Sequence, residues 1–165
     1  MTTGAAFDFA GLYRRHAADV FRYALFLSGN RTKAEDIVSE TFVRVWGARE
    51  RVELSTVRAY LLAIARNVFL HGLRRQRREV ALDEALPDPA PLPNESHAVG
   101  VELDRVLVAL ATLPEVDRTA LLLRVDEGLP YQDIAAILKI APIAARVKVH
   151  RARAKLVAAR GDIPR

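Results

Sequence analysis

The chain has 165 residues, half of them apolar, with 25 Lys and Arg against 20 Asp and Glu, a formal net charge of +5 that favours an acidic partner such as nucleic acid or an anionic membrane surface. It contains no cysteine, which excludes disulfides, thiolate zinc sites and cysteine nucleophiles and fits a reducing compartment. No apolar run reaches the roughly 20 residues of a membrane span, and Met1-Thr2-Thr3-Gly4 lacks the basic-then-apolar order of a signal peptide, so the expectation is a soluble intracellular protein.

Abundant Leu, Ala and Val with only eight glycines predict an all-α chain, long enough for one domain or two small ones. Leu12, Tyr13, Val20, Phe21, Ala24 and Leu25 recur at helical spacing from Phe9 to Leu27, and Ser28, Gly29 and Asn30 stop this first helix. Thr32 with Glu35 reads as a capping box opening a second helix. Its buried stripe is Ile37, Val38, Thr41, Phe42 and Val45, and Gly47 after Trp46 is suited to a left-handed cap. After a polar loop, Ser55 can cap a third helix with Leu61, Ile64, Ala65, Val68 and Leu73 inside, ending in the basic run Arg74, Arg75, Arg77 and Arg78. The stretch from Glu79 to His97 has prolines at 87, 89, 91 and 93 and the acids Asp83, Glu84, Asp88 and Glu95, and is predicted to be an acidic linker.

The second block opens with Leu103, Val106, Leu107 and Leu110, and Pro114 suits the first turn of a helix carrying Leu121, Leu122 and Val125 that ends at Gly128. Pro130 starts a short helix to Leu138, Lys139 to Ala141 form a turn, and Pro142 opens a last helix reaching about Ala159. Two helices across a tight turn, the second one basic, predict a helix-turn-helix.

Three groups of residues carry candidate chemistry. Arg146, Lys148, His150, Arg151, Arg153 and Lys155 make the last helix cationic. A basic helix alone is more often a solvated face; behind Ile134, Ala135, Leu138 and Ile140 it reads better as a DNA-binding element. Arg58, Tyr60, Arg66 and Asn67 join cations to an aromatic ring and an amide, a mixture suited to opened DNA, although residue types alone favour a packed Tyr60 and a solvated Asn67. Glu35, Asp36 and Glu40 favour the positive end of the second helix, or offer a docking surface beside Trp46. His16, His71, His97 and His150 are scattered, so no metal ligand set is expected, and no nucleophile accompanies the acids, so catalytic residues and cofactors are expected to be none.

The order of these pieces resembles the extracytoplasmic-function group of bacterial sigma factors from Phe9 to about Arg160. Ala34 to Trp46 is similar to that family's polymerase-clamp-binding helix, and Val57 to Asn67 to its promoter-opening helix. Leu113-Pro114-Glu115 through Arg118, Tyr131 to Ala135 and His150 to Arg153 are similar to its fourth region. The resemblance implies an all-α fold of two small helical domains: a region 2 bundle at 7–79, a proline-rich acidic linker at 80–97 and a region 4 helix-turn-helix at 98–160.

It also implies roles. Asp36 and Glu40, with Phe42 and Trp46, would bind core RNA polymerase; Arg58, Tyr60, Arg66 and Asn67 would engage the downstream promoter element, Asn67 at a flipped base. Arg146, Lys148, His150, Arg151 and Arg153 would bind the upstream element. The linker would follow the RNA exit path, an anti-sigma factor would be a further partner, and no small-molecule substrate or membrane insertion is implied. The expected location is the cytoplasm, at the nucleoid or held to the membrane by that anti-sigma factor. This chain departs from the family pattern with Tyr60 for tryptophan, His71 for an acid, Ser39 for glutamine, Lys139 for the turn glycine, and Ile143 to Lys148 in the recognition helix. Weak upstream selectivity follows from the missing hydroxyls at Ala144 and Val147. Two other readings fit parts of the chain: a helix-turn-helix regulator acting without polymerase, and a sigma mimic that titrates an anti-sigma factor.

Overall fold

Asp8 starts the first helix by accepting the Gly11 amide at 2.9 Å, satisfying one of the donors that a helix N-terminus leaves open. The structure, a computed structural model, describes residues 7–48, 56–82 and 98–161. Helix α1 (Phe9–Ser28) stops where Gly29 takes φ 69°, a left-handed cap that costs glycine little. Helix α2 (Arg31–Gly47) is capped by Asn30, which accepts the Lys33 amide at 2.9 Å. The expected Thr32 cap is therefore displaced: Asn30 already has an extended backbone and an amide oxygen, so the helix begins before Thr32. Gly47 is the last residue of α2, and the cap is Ala48 at φ −107°, without the left-handed turn expected there.

Thr56 accepts the Ala59 amide at 3.1 Å and opens α3 (Val57–Leu82); Ser55, the expected cap, lies outside the described residues. Helix α3 continues past its basic run because no breaker precedes Pro87, and Arg75 and Glu79 pair at 3.6 Å one turn apart. The prolines and acids of the expected linker, residues 83–97, lie outside the described residues; Val80 to Leu82 are the last turn of α3.

Helices α1, α2 and α3 pack on one another around Val20, Tyr23, Leu27, Ile37, Phe42, Val45, Leu61, Leu62 and Phe69. Burying a side chain of this size contributes about 1.5–3 kcal/mol, which fixes the bundle far more firmly than helix propensity does. Tyr13, expected on the inner stripe, is exposed and leans its ring edge on Phe42 at 4.8 Å.

The second unit comprises α4 (Ala98–Ala111), α5 (Glu115–Leu121), α6 (Tyr131–Leu138) and α7 (Pro142–Gly161). Pro114 precedes α5 as its cap residue, and α5 runs on into a π-helical turn, Leu122–Asp126, that Gly128 closes at φ 70°. This wider turn was not visible in the apolar spacing. Lys139 is left-handed at φ 56°, the only such non-glycine among the described residues, and Pro142 opens α7 as expected. Ile134, Ala135 and Leu138 of α6 pack with Ala145, Val149 and Ala152 of α7, which holds the helix-turn-helix together. Helix α1 also packs against α4, α5 and the π turn, so the two units share a face. Among the described residues there is no strand, and no helix is long and apolar enough to cross a membrane.

Candidate functional site

The expected docking residues of α2 separate by burial. Asp36 and Glu40 stand exposed one turn apart, Glu40 paired with Arg44 at 3.1 Å. Trp46 is half exposed, with the Phe9 ring edge-on at 5.3 Å. Phe42 is buried, so its expected direct contact with a partner is corrected: its ring belongs to the bundle interior, where it supports Phe9 and Tyr13. Beside the two acids, α2 and α3 form an open groove of about 880 Å³ lined by Ile37, Val43, Phe69 and His71 among others.

On α3 the four expected DNA residues fall into two pairs. Tyr60 and Asn67 are seven residues apart and share a helical stripe, Tyr60 half-buried against the bundle and Asn67 exposed. Arg58 and Arg66 lie on the flank that meets the second unit. Arg58 donates to the Glu127 carboxylate, from Nε at 3.1 Å and also through Nη2. Arg66 makes a two-pronged contact with Glu115, Nε to Oε1 at 2.9 Å and Nη2 to Oε2 at 3.1 Å, and the Thr119 hydroxyl donates to the same carboxylate at 2.8 Å.

Arg22 of α1, a residue without a marked role in the sequence, completes this surface. It reaches Asp126 at 3.0 Å and Glu127 at 3.2 Å, the adjacent acids that end the π turn. The hydrogen bond to Asp126 raises the Arg22 pKa above its ordinary value. The Glu127 side chain is fully buried, and burial pushes its carboxyl up against the opposing pull of Arg58 and Arg22. Those arginines keep 36% and 42% of their side chains in solvent, so their attraction is screened while the carboxylate is stripped of water. Arg118 crosses the same boundary in the other direction, donating from Nη1 to the Leu27 carbonyl near the C-terminus of α1 at 2.7 Å, the end of a helix that favours cations. Sequence spacing carried no signal for these contacts, since each joins residues far apart in the chain.

On α7, Ala145, Val149 and Ala152 face inward and leave Arg146, His150, Arg151 and Arg153 exposed. Arg146 lies over the Tyr131 ring at 5.0 Å and Arg124 over the same ring at 4.4 Å, which positions the start of this helix against α6. Lys148 departs from expectation. It is half-buried with Nζ 3.5 Å from the buried Asp117 carboxylate, because its place on the helix turns it toward α5 instead of outward. Among the described residues no group of three or more His, Asp or Glu is placed to hold a metal ion.

A bundle with an exposed acidic helix, followed by a helix-turn-helix whose last helix shows arginines, has counterparts among known proteins. Residues 12–79 match sigma-70 region 2 and residues 103–156 match sigma-70 region 4. The ECF RNA polymerase sigma factor EcfG of Rhodopseudomonas palustris is 34% identical over 137 residues, covering 82% of this chain and 76% of that protein. The chain is an extracytoplasmic-function sigma factor. SigE of Mycolicibacterium smegmatis, another ECF RNA polymerase sigma factor, is 37% identical over 155 residues that cover 88% of this chain; they span 58% of SigE. Among solved structures, the sigma factor RpoE of Bartonella quintana, in complex with the anti-sigma factor NepR, superposes with a TM-score of 0.76 at 28% identity, covering 90% of this sigma factor and 94% of RpoE.

Proposed function

We propose that this sigma factor brings core RNA polymerase to promoters through three of its surfaces and performs no reaction of its own. Residues 7–82, which include the last turn of α3, form the polymerase-binding and promoter-opening domain, 83–97 the linker, and 98–160 the upstream-element domain. Asp36 and Glu40 meet cations of the polymerase, with Trp46 as an apolar anchor at their edge. Tyr60 offers a face on which an unpaired base can stack and Asn67 an amide for its edge, while Arg58 and Arg66 hold the phosphates of the opened strand. Arg146, His150, Arg151 and Arg153 lie against the upstream duplex. An anti-sigma factor of the kind bound to RpoE restrains this chain too, and the site of action is the cytoplasm, at the nucleoid or at a membrane to which that factor is fixed.

The observation that carries this reading is the exposed acid pair of α2 above the α2–α3 groove. A helix-turn-helix regulator working without polymerase has no use for such a surface, and the match to sigma-70 region 2 weighs against it. The test is run-off transcription with purified core polymerase from a genomic promoter library. Transcripts are expected with the parent chain. Asp36→Lys with Glu40→Lys should weaken core binding by about 1.5–3 kcal/mol, the value of a charge-assisted contact, with helix content intact. Unchanged core affinity in the folded double variant overturns the assignment of α2.

A further inference from the structure

Helix α7 presents apolar side chains where a groove-binding helix meets base edges. Ile143 is 74% exposed and Val147, one turn on, is 48% exposed. Positions four apart share a helical face, and Ala145, Val149 and Ala152 mark the opposite face as the buried one, so Ile143 and Val147 point away from the domain core. With Ala144 and Arg151 they line a shallow depression of about 320 Å³. Cations border this strip: Arg151 continues it one turn beyond Val147, and Arg146 and His150 stand exposed on its flank. A β-branched residue at an exposed helical position is slightly disfavoured against alanine, so folding supplies no reason for the pair. We infer that Ile143 and Val147 read the 5-methyl groups of thymine in the major groove of the upstream element, which gives this chain a preference for T·A pairs there. This rests on the assignment of α7 to the upstream duplex.

The chemistry of the groove selects the base. A recognition helix sets its N-terminal residues against base edges, and of the groups displayed in the major groove only the thymine methyl is apolar; all others donate or accept hydrogen bonds. An aliphatic side chain laid on a donor or acceptor strips its water and returns no hydrogen bond, which disfavours the remaining bases. Ile143 and Val147 are separated by about 6 Å along the helix axis, close to two base-pair steps of about 3.4 Å, so the pair spans two thymines at short spacing. The bordering cations complement phosphates on either side of the groove, whereas a purely apolar protein surface would leave them without partners. Burying one methyl is worth about fourfold in affinity, which agrees with the weak selectivity that follows from the missing hydroxyls and gives it a direction.

The test uses the holoenzyme formed from the full chain and core polymerase. The promoter that gives the strongest run-off transcript is remade with deoxyuridine for thymidine, a few base pairs at a time, upstream of the melted region; this removes the methyl and keeps every hydrogen-bonding edge. Competition binding is expected to show one stretch where uracil weakens the parent by about fourfold for each methyl read. In Ile143→Ala with Val147→Ala, both at exposed positions, thymine and uracil DNAs should bind equally, with the salt dependence of the parent because Arg146, Arg151 and Arg153 remain. Ile143→Ala alone should lose the response at one base pair and keep it at the other. No uracil response in any upstream stretch overturns the inference, and so does a response that the double variant keeps. Equal affinity for both DNAs, with core-polymerase binding lost in the double variant, assigns the strip to protein and overturns it too. Failure of the underlying reading has a different signature. Alanine at Arg151 or Arg153 that leaves the salt slope of upstream-duplex binding unchanged takes α7 off the DNA, and the inference falls with it; altered slopes without a uracil response remove only the methyl readout. A parent that yields no transcript sinks the sigma role and the inference together.

Discussion

Lys148 Nζ lies 3.5 Å from Asp117 Oδ1, and the Asp117 side chain is 4% exposed, so one cation of α7 is turned back into its own domain. A half-buried lysine at that distance shields a buried carboxylate more than it holds a phosphate. Lys148→Ala is expected to cost about 1 kcal/mol of stability, at the low end for an acceptor left unsatisfied because Lys148 keeps some solvent. It should leave the salt dependence of duplex binding unchanged. Thermal unfolding and a salt titration on upstream duplex check the two halves.

The exposed arginines of α7 should behave in the opposite way. Alanine at Arg146, Arg151 or Arg153 is expected to leave stability nearly unaltered and to reduce the slope of log K against log salt by about 0.9 for each phosphate no longer neutralised. Arg146 has an additional tie to the Tyr131 ring, so its removal should also lower the unfolding temperature slightly. Three unchanged slopes would remove α7 from the upstream duplex. Selectivity should be weak in the parent because Ala144 and Val147 carry no hydroxyl, and Val147→Ser, at an exposed position, should add roughly 0.5–1.5 kcal/mol of discrimination in a competition assay.

Tyr60 is half-buried, so its replacement mixes packing with DNA contact. Tyr60→Phe keeps the ring and should leave promoter opening intact. Tyr60→Ala removes the stacking face, worth about 1 to 3 kcal/mol, and is expected to impair the bubble more than initial recruitment. Permanganate reactivity of the bubble thymines reads this directly; equal opening by Tyr60→Ala and parent would end the assignment.

The domain boundary should respond to pH through Glu127. Its carboxyl lies above the ordinary value because burial outweighs Arg58 and Arg22, with Asp126 adding repulsion and Asp19 facing the same arginines. The packed form thus takes up a proton more readily than the parted form. Its stabilisation is full below the ordinary glutamate range, about pH 4.3, and is lost as pH rises through the raised value. Interdomain energy transfer is expected to increase on mild acidification of the parent and to lose most of this response in Glu127→Gln. An identical pH profile in that variant would place the titrating group elsewhere.

The all-α class, the helix-turn-helix with its turn from Lys139 to Ala141, and the start of α7 at Pro142 were legible in the sequence because caps, turns and helical periodicity act between residues a few positions apart. Small errors at Thr32 and Gly47 have the same local origin, where a neighbouring Asn30 or Ala48 was the better cap. The candidate site was legible as a set of residue types and no further. An arginine reads the same in sequence whether solvent, a phosphate or a carboxylate takes its charge, and only packing distinguished them. Arg58 met Glu127 across 69 positions, Arg66 met Glu115 across 49, and Lys148 met Asp117 across 31. Burial likewise drew Phe42 inside and left Trp46 half exposed on the same helix. Composition and local pattern alone determined which helices form and which of them carry charge. The tertiary structure decided which of those charges are already paired, because desolvation depends on the surfaces that meet and not on the order of residues along the chain.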